Sequence, residues 1–320
     1  MAATTPTTQS SSASIKPTGK QYIRYCVLKV GKGGGTGDDL SDLRISFECV
    51  KNSASDPNTA TIKVYNLNEQ TANKILYEYD TVELEAGYTD GNKGIIFHGN
   101  ISEITHTREK YVDTIVEIKG EDGGNAYKYS TTSQAISKGA TDQDLLNIVL
   151  SDYGKFDVNA GNMDTSLLSQ TQYARGQVFH GNTREIAAII ARNHGLEISI
   201  QDNKLQVTQV KKTLDIQAEV ISSETGLVDP GVKFNEQGVT FKTLLNTNLV
   251  VGCPIKIDES AYTMRYVNKL DHSKDKLPQS GAIYKVIQVK HSGDTHEKTW
   301  YTECTAILYT SETADQKDNR

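Results

Sequence analysis

Two stretches of this 320-residue chain hold residue types suited to chemistry. Gly31-Lys32-Gly33-Gly34-Gly35-Thr36-Gly37 has the glycines of a phosphate cradle. A phosphate loop, however, needs its Lys and Ser/Thr directly after the last glycine, at the start of a helix. Here the Lys comes early and Asp38-Asp39 follow, placing negative charge where a phosphate would sit, so the stretch reads as a loop between strands. His291-Ser292-Gly293-Asp294-Thr295-His296-Glu297 is the densest polar cluster. Two imidazoles and a carboxylate suit a metal, but Ser-Gly-Asp is a good turn former and the stretch joins two apolar runs. It reads as a turn.

No GxSxG elbow and no HExxH occur. Acids are plentiful, yet nothing marks a pair for glycoside cleavage, which needs one carboxyl of raised pKa in a cleft. Cys26, Cys49, Cys253 and Cys304 are far apart, and no two form a CxxC pair, so they read as reduced, buried small hydrophobes. Neither a cofactor nor a metal is expected. The formal charge of −6 is mixed along the chain with no basic block, which disfavours specific nucleic-acid binding; a weakly acidic surface suits DNA passing without sticking. Met1 to Ser14 lacks a positive start and an apolar core, and no apolar run approaches the roughly 18 residues of a membrane span. Synthesis in the cytoplasm, without membrane insertion, is the expectation.

Positioning falls mainly to strands. Residues 1–19 are a polar arm. From residue 20 to about 120 the period is two: Leu43, Ile45, Phe47 and Cys49 alternate with polar residues, as do Val82, Leu84 and Ala86. Val112, Val116 and Ile118 share a face, and Asn68 to Tyr79 forms one short helix with Ala72, Ile75 and Leu76 inward. Such a unit describes a small barrel or sandwich. Residues 121–213 form a mixed module. Thr141 to Asp144 cap one helix, and Asn182 with Glu185 makes a capping box for a second that Gly195 ends. A hairpin turns at Asp202-Asn203. From 214 to about 310 strands return, interrupted by a polar loop at 258–281 that offers Tyr262 and Tyr266 to a partner; 311–320 is a polar tail.

Thr225-Gly226-Leu227, Pro230, Gly238-Val239-Thr240-Phe241, Leu244-Leu245-Asn246 and Gly252 before Pro254 occur in that order. Tyr284-Lys285-Val286, then His291 to Thr295, then Trp300-Tyr301-Thr302 follow. The series resembles the baseplate hub proteins of contractile-tailed bacteriophages, relatives of the hub portion of type VI secretion spikes. Thr61 to Leu67 and Gly99 to Ile104 extend the likeness, which spans most of residues 22–308. The resemblance implies a non-enzymatic virion protein of the tail baseplate. Its fold class would be mainly β with an α+β insert, two tube-like β-barrel domains flanking a helix-plus-hairpin module. A homotrimer would join a six-fold tail tube to a three-fold central spike, beside other baseplate proteins. Gly226, Pro230, Gly238, Asn246, Gly252, His291, Gly293 and Asp294 would then be architectural, with His291 to Asp294 shaping the loop between the last two strands. Another tail-tip or tube component, or a secretion-spike relative, is the alternative within the structural class; a cell-wall-degrading enzyme or a receptor-binding module are the alternatives outside it.

Overall fold

A computed structural model of the chain describes residues 21–33, 37–109, 113–170, 172–228, 231–235, 238–258, 265–266 and 282–309. The arm at 1–19, the tail at 311–320, Val112, Pro230, Tyr262 and most of the 258–281 loop lie outside the described residues.

The first unit holds β1 (Arg24–Gly31), β2 (Gly37–Asp39), β3 (Ile45–Asn52), β4 (Thr59–Tyr65), α1 (Glu69–Tyr77), β5 (Thr81–Tyr88), β6 (Lys93–Glu109) and β7 (Asp113–Glu121). The middle segment holds α2 (Gly124–Tyr129), β8 (Thr131–Ile136), α3 (Asp142–Gly154), β9 (Asn159–Met163), β10 (Gln177–Asn182), α4 (Thr183–His194), β11 (Leu196–Gln201) and β12 (Lys204–Gln209). The last unit holds β13 (Glu219–Ile221), β14 (Lys233–Asn235), β15 (Gly238–Leu244), β16 (Pro254–Ile257), β17 (Arg265–Tyr266), β18 (Ile283–Asp294) and β19 (Trp300–Tyr309).

Local signals act as their chemistry dictates. Ile45, Phe47 and Cys49 are buried along β3 while Glu48 is exposed, so the alternation of apolar and polar residues becomes an inner and an outer face. The Asn68 side chain accepts from Thr71 N at 2.8 Å and opens α1, whose Ala72 and Ile75 are buried. Thr141 and Asp144 form a reciprocal capping box on α3. The capping box expected from Asn182 and Glu185 does not form, because Asn182 is the last paired residue of β10 and its side chain makes no cap bond. The buried Thr183 hydroxyl instead meets Ser130 Oγ at 2.7 Å and Thr132 Oγ1 at 3.1 Å. Gly195 ends α4 in the left-handed region, φ 62°, and Asp202 and Asn203 turn the β11–β12 hairpin at φ 53° and 56°.

The expected pair of β-barrels is not there. Fourteen strands form one sheet in the order β17-β14-β15-β19-β18-β3-β4-β7-β6-β5-β1-β2, with β16 and β13 branching from β18, and no pairing among the described residues joins its ends. The reason lies in β18. A register shift between Val286 and Gln288 bends it, so that Ile283 to Lys285 pair with β16 while Gln288 to Asp294 pair with β3 of the first unit. The edge that closure of the last unit would need is spent on joining the first. Residues 126–207 pack a separate core, carried by a two-stranded sheet (β8, β10) and a three-stranded one (β11, β12, β9) beside α3 and α4.

The two units nevertheless share a plan. In the first, the sheet order β3-β4-β7-β6-β5 is antiparallel throughout; in the last, β14-β15-β19-β18-β16 repeats it, also antiparallel and in the same chain order. A sixth strand follows in each, β1 antiparallel to β5 and β13 parallel to β16.

Candidate functional site at the seam between the units

The residues singled out in the C-terminal motif gather where the two units meet. Gln288 to Asp294 lie between β19 and β3, so His291, Gly293 and Asp294 are strand residues and not the expected loop; the turn runs through Thr295 to Lys298. Their polar composition suggested a turn, but strand partners on both edges bury them.

Gly293 sits against the Phe47 and Trp300 rings, which meet edge to face with centroids 5.4 Å apart at 75°. Both aromatics, one from each unit, belong with Leu245 to the first unit's core. Arg24 lies over the Trp300 ring, 5.2 Å from its centroid, and donates to the Asp294 carbonyl at 2.6 Å. Arg44 Nη2 donates to Asp294 Oδ2 at 2.9 Å and to Glu297 Oε1 at 2.6 Å. Burial alone would raise the Asp294 carboxyl; Arg44 and the N–H groups of His296 and Glu297 hold it below the ordinary value. Thr295 N donates to the Ile45 carbonyl at 2.9 Å, while Ile45 N donates to Thr295 Oγ1 at 3.0 Å.

His291 Nδ1 lies 2.9 Å from Thr302 Oγ1, which accepts from Asn246 N at 3.0 Å and so has its O–H free to donate to the ring. Burial, with Lys51 nearby, pushes the His291 pKa down to about 3. The imidazole is therefore a neutral core group. Its C–H resonances should stay constant from about pH 8 to about pH 5, across the range where an ordinary His titrates; a midpoint near 6.5 would show a solvated ring. Asn246 Oδ1 accepts from Asn92 Nδ2, tying the loop after β15 to the β5–β6 turn. Gly226, Gly238 and Gly252 hold positive φ of 98°, 143° and 87°. At Gly238 the constraint is also steric, since a Cβ would stand 2.1 Å from the Ala306 carbonyl oxygen.

A second cluster locks the middle segment onto this seam. Asp122, fully buried, accepts from Asp202 N at 2.6 Å, Asn203 N at 2.8 Å and Asn58 Nδ2 at 3.2 Å. Lys51 Nζ reaches both Asp202 oxygens at 2.6 Å. Burial, then Asp202, raises the Asp122 pKa to about 7 against the pull of the Asn203 N–H and Lys51. Lys285, 1% exposed, donates to Glu197 Oε2 at 2.7 Å and to the Gln209 and Val210 carbonyls.

Arg24, Arg44, Asn92, Asp122 and Glu197 carried no signal readable from their own neighbourhoods. Lys51 did: it occupies the next inward position after Ile45, Phe47 and Cys49, where a charge demands a partner. Arg44, Asp294, His291, Lys51, Asp122 and Lys285 are each engaged in a structural bond. Among the described residues no group of three His, Cys, Asp or Glu is placed to hold a metal, and no helix is long and apolar enough to cross a membrane. All four cysteines are free, and burial pushes the Cys26 and Cys253 thiols up to about 12. The arrangement ties three packed bodies together through side-chain bonds and paired strands.

Among the solved structures that share this fold, three serve as examples. The tail protein from Neisseria meningitidis MC58 superposes with a TM-score of 0.58 at 10% identity, covering 89% of this chain and 96% of its own. The 43 kDa tail protein of prophage MuSo2 from Shewanella oneidensis gives 0.55 at 8% identity, covering 88% and 96%. The E. coli c3393 protein, a component of the type VI secretion system with structural similarity to T4 bacteriophage tail proteins gp27 and gp5, gives 0.53 at 11%, covering 89% and 77%. At these identities the likeness is one of fold. No curated protein matches at a significant level. A family profile described as "Baseplate hub gp41" matches residues 26–261, well over half of the chain. The chain therefore belongs to the baseplate hub family and is a structural protein of the virion tail.

Proposed function

We propose that three copies of this chain form a ring joining a six-fold tail tube on one face to a three-fold spike on the other. The observation that carries this reading is the repeated strand order, β3-β4-β7-β6-β5 and β14-β15-β19-β18-β16. Two similar units per chain, in a three-fold assembly, present six similar surfaces in a circle, and a tube of six-fold symmetry can seat on them. The seam supports the same role. Its buried ion pairs and interlocked strands fix the angle between the units, which a symmetry adaptor requires and a flexible linker would not supply. Residues 20–120 and 214–310 are the two ring units in this reading, and 121–213 packs against them. The motif residues act as architecture: Gly238 and Gly293 admit close backbone or ring approach, Gly226 and Gly252 leave room for the Gln21 and Leu214 side chains, Asn246 and Asp294 tie one unit to the other through side chains, and His291 does so through its strand pairing. The partners are the tail tube protein, the central spike protein and other baseplate proteins, with DNA passing the weakly acidic ring without a specific site. The test is a reconstruction of purified tail tips without imposed symmetry. It should show three copies in one ring, with tube density on one side and spike density on the other; six copies, or one, would remove the reading.

A further inference from the structure

The middle segment carries a strand edge that the fold leaves unfilled. β11 is an outer strand of its three-stranded sheet, β11-β12-β9. Gln201 and Lys204 flank the two-residue turn at Asp202-Asn203, so they exchange both ladder bonds with each other. Alternation then aims the backbone groups of Ile200, Ile198 and Leu196 away from β12. Asn58 Nδ2 donates to the Ile200 carbonyl at 3.0 Å, which closes that end. The Ile198 N–H and C=O and the Leu196 C=O have no partner among the described residues.

A cleft of about 420 Å³ follows this edge. Leu196 to Ile200 supply one wall, and Ala187, Ala188 and Ala191 of α4 supply another. The alanines keep the helix surface low, and Arg184 and Arg192, which also line the cleft, flank them along α4. Neither arginine has a carboxylate partner among the described residues; Arg184 lies over the Tyr127 ring, 4.7 Å from its centroid. Tyr153, 3% exposed, lines the cleft too, and its hydroxyl makes no hydrogen bond among the described residues. Burial raises its pKa, so the phenol remains a donor. Two acids near the cleft are already engaged, Glu197 with Lys285 and Asp56 with the Tyr127 hydroxyl. Two guanidinium groups and a phenol thus stand beside a bare strand edge. The side chains suit carboxylates, and the edge suits another backbone.

We propose that this cleft binds an extended, acidic segment of another tail protein, which adds to β11 as a fourth strand and sets one carboxylate on Arg184 and another on Arg192. The spacing defines the segment. Arg184 and Arg192 are eight positions apart, about 12 Å along α4. Four residues of a strand span about 13 Å and return to the same face of the sheet. Leu196, Ile198 and Ile200 share a core with Ile186, Ala187 and Ile190 of α4, so side chains of an added strand on that face meet the helix. The segment therefore carries acids at positions i and i+4, with a small apolar residue at i+2 set against the alanines. The pattern is the same read in either direction, so it fits a parallel or an antiparallel strand. Peptides held this way draw affinity from main-chain bonds and selectivity from alternate side chains. The inference does not depend on the number or placing of copies in the ring.

The probe is a fluorescein-labelled, amidated peptide, Thr-Glu-Thr-Val-Thr-Glu-Thr, titrated with the purified full chain and followed by fluorescence anisotropy. Binding should saturate, and it should weaken about tenfold in Arg184→Gln and again in Arg192→Gln, with the circular dichroism of both variants unchanged. A peptide with both Glu changed to Gln should bind wild type as weakly as the double variant binds the parent peptide. Ala188→Trp should fill the cleft and block binding. Of two peptides methylated on alternate backbone nitrogens, one should lose binding and the other keep it, because only one edge of an added strand faces β11. Binding by charge alone would treat the two alike. No saturation, equal binding of the Gln peptide, binding that survives Ala188→Trp, or equal binding of the methylated pair would overturn the proposal. So would binding that appears only once residues 310–320 are removed, which would make the occupant part of this chain. Self-association that the peptide reverses would make it a second copy, and would overturn the proposal as well. None of these results touches the count of three, which the tail-tip reconstruction decides.

Discussion

Replacing Gly293 with valine should be among the most damaging single changes in this protein, lowering stability by about 3 kcal/mol or more. The residue needs no unusual backbone angle; the constraint is steric. A Cβ there would lie 2.4 Å from Phe47 Cζ and 2.8 Å from Trp300 Cε3, well inside contact distance. Relief requires the two rings to part. Phe47 and Trp300 are both 3% exposed, so they have little room to move. Overpacking of this kind typically costs about 1–3 kcal/mol, and the lost edge-to-face contact adds about 0.5–1.5 kcal/mol. The damage should fall on the seam, since Phe47 comes from β3 and Trp300 from β19. Urea unfolding of Gly293→Val and Gly293→Ala, alone and with Phe47→Leu, checks this. Trimming the ring should recover part of the loss in the alanine variant. A Gly293→Val protein within about 0.5 kcal/mol of wild type would show that the seam is not tightly packed.

The second large effect is a fall in stability as pH rises from about 4 to about 7, traceable to Asp122. Its carboxyl binds a proton more tightly in the folded chain, near 7, than in the unfolded one, near 3.8. The contribution is therefore complete below about pH 4 and lost as pH climbs through the folded value. At 1.36 kcal/mol per pKa unit the span reaches about 4 kcal/mol. Asp122→Asn preserves the shape and removes the proton. Other titrating groups are common to both proteins, so the difference between the two urea-midpoint profiles isolates this one. Wild type should lose ground to the variant between about pH 4 and pH 7. Parallel profiles would mean that the carboxylate is already ionised at pH 5, held so by Lys51 and the two hairpin N–H groups.

Much of the local structure could be read from spacing. Alternation at Ile45, Phe47 and Cys49 and at Val82, Leu84 and Ala86 assigns an inner face, and a side chain such as Asn68 or Thr141 opens a helix because a neighbouring N–H lacks a partner. What spacing cannot say is which strand lies next to which. Closure of each unit into a barrel was a reasonable expectation from short alternating strands, yet β18 takes β3 as its neighbour across more than two hundred positions. The same long-range partner explains why His291 to Asp294 looked like a turn: burial of a polar strand is supplied by residues far away in sequence. Asp122 and Glu197 escaped notice for the same reason, since Asp122 is defined by the N–H groups of a distant hairpin and Glu197 by a lysine on another element.

The joint between β18 and β3 also sets an order of events during synthesis. Arg44 and Asp294 are 250 positions apart. At roughly 5–20 residues per second the ribosome needs on the order of ten to fifty seconds to deliver the second partner after the first. Throughout that interval β3 waits with one margin bare and its aromatic pocket lacking Trp300. A nascent chain in this condition is open to capture by the wrong β-ribbon, a hazard that follows directly from how the finished sheet is threaded.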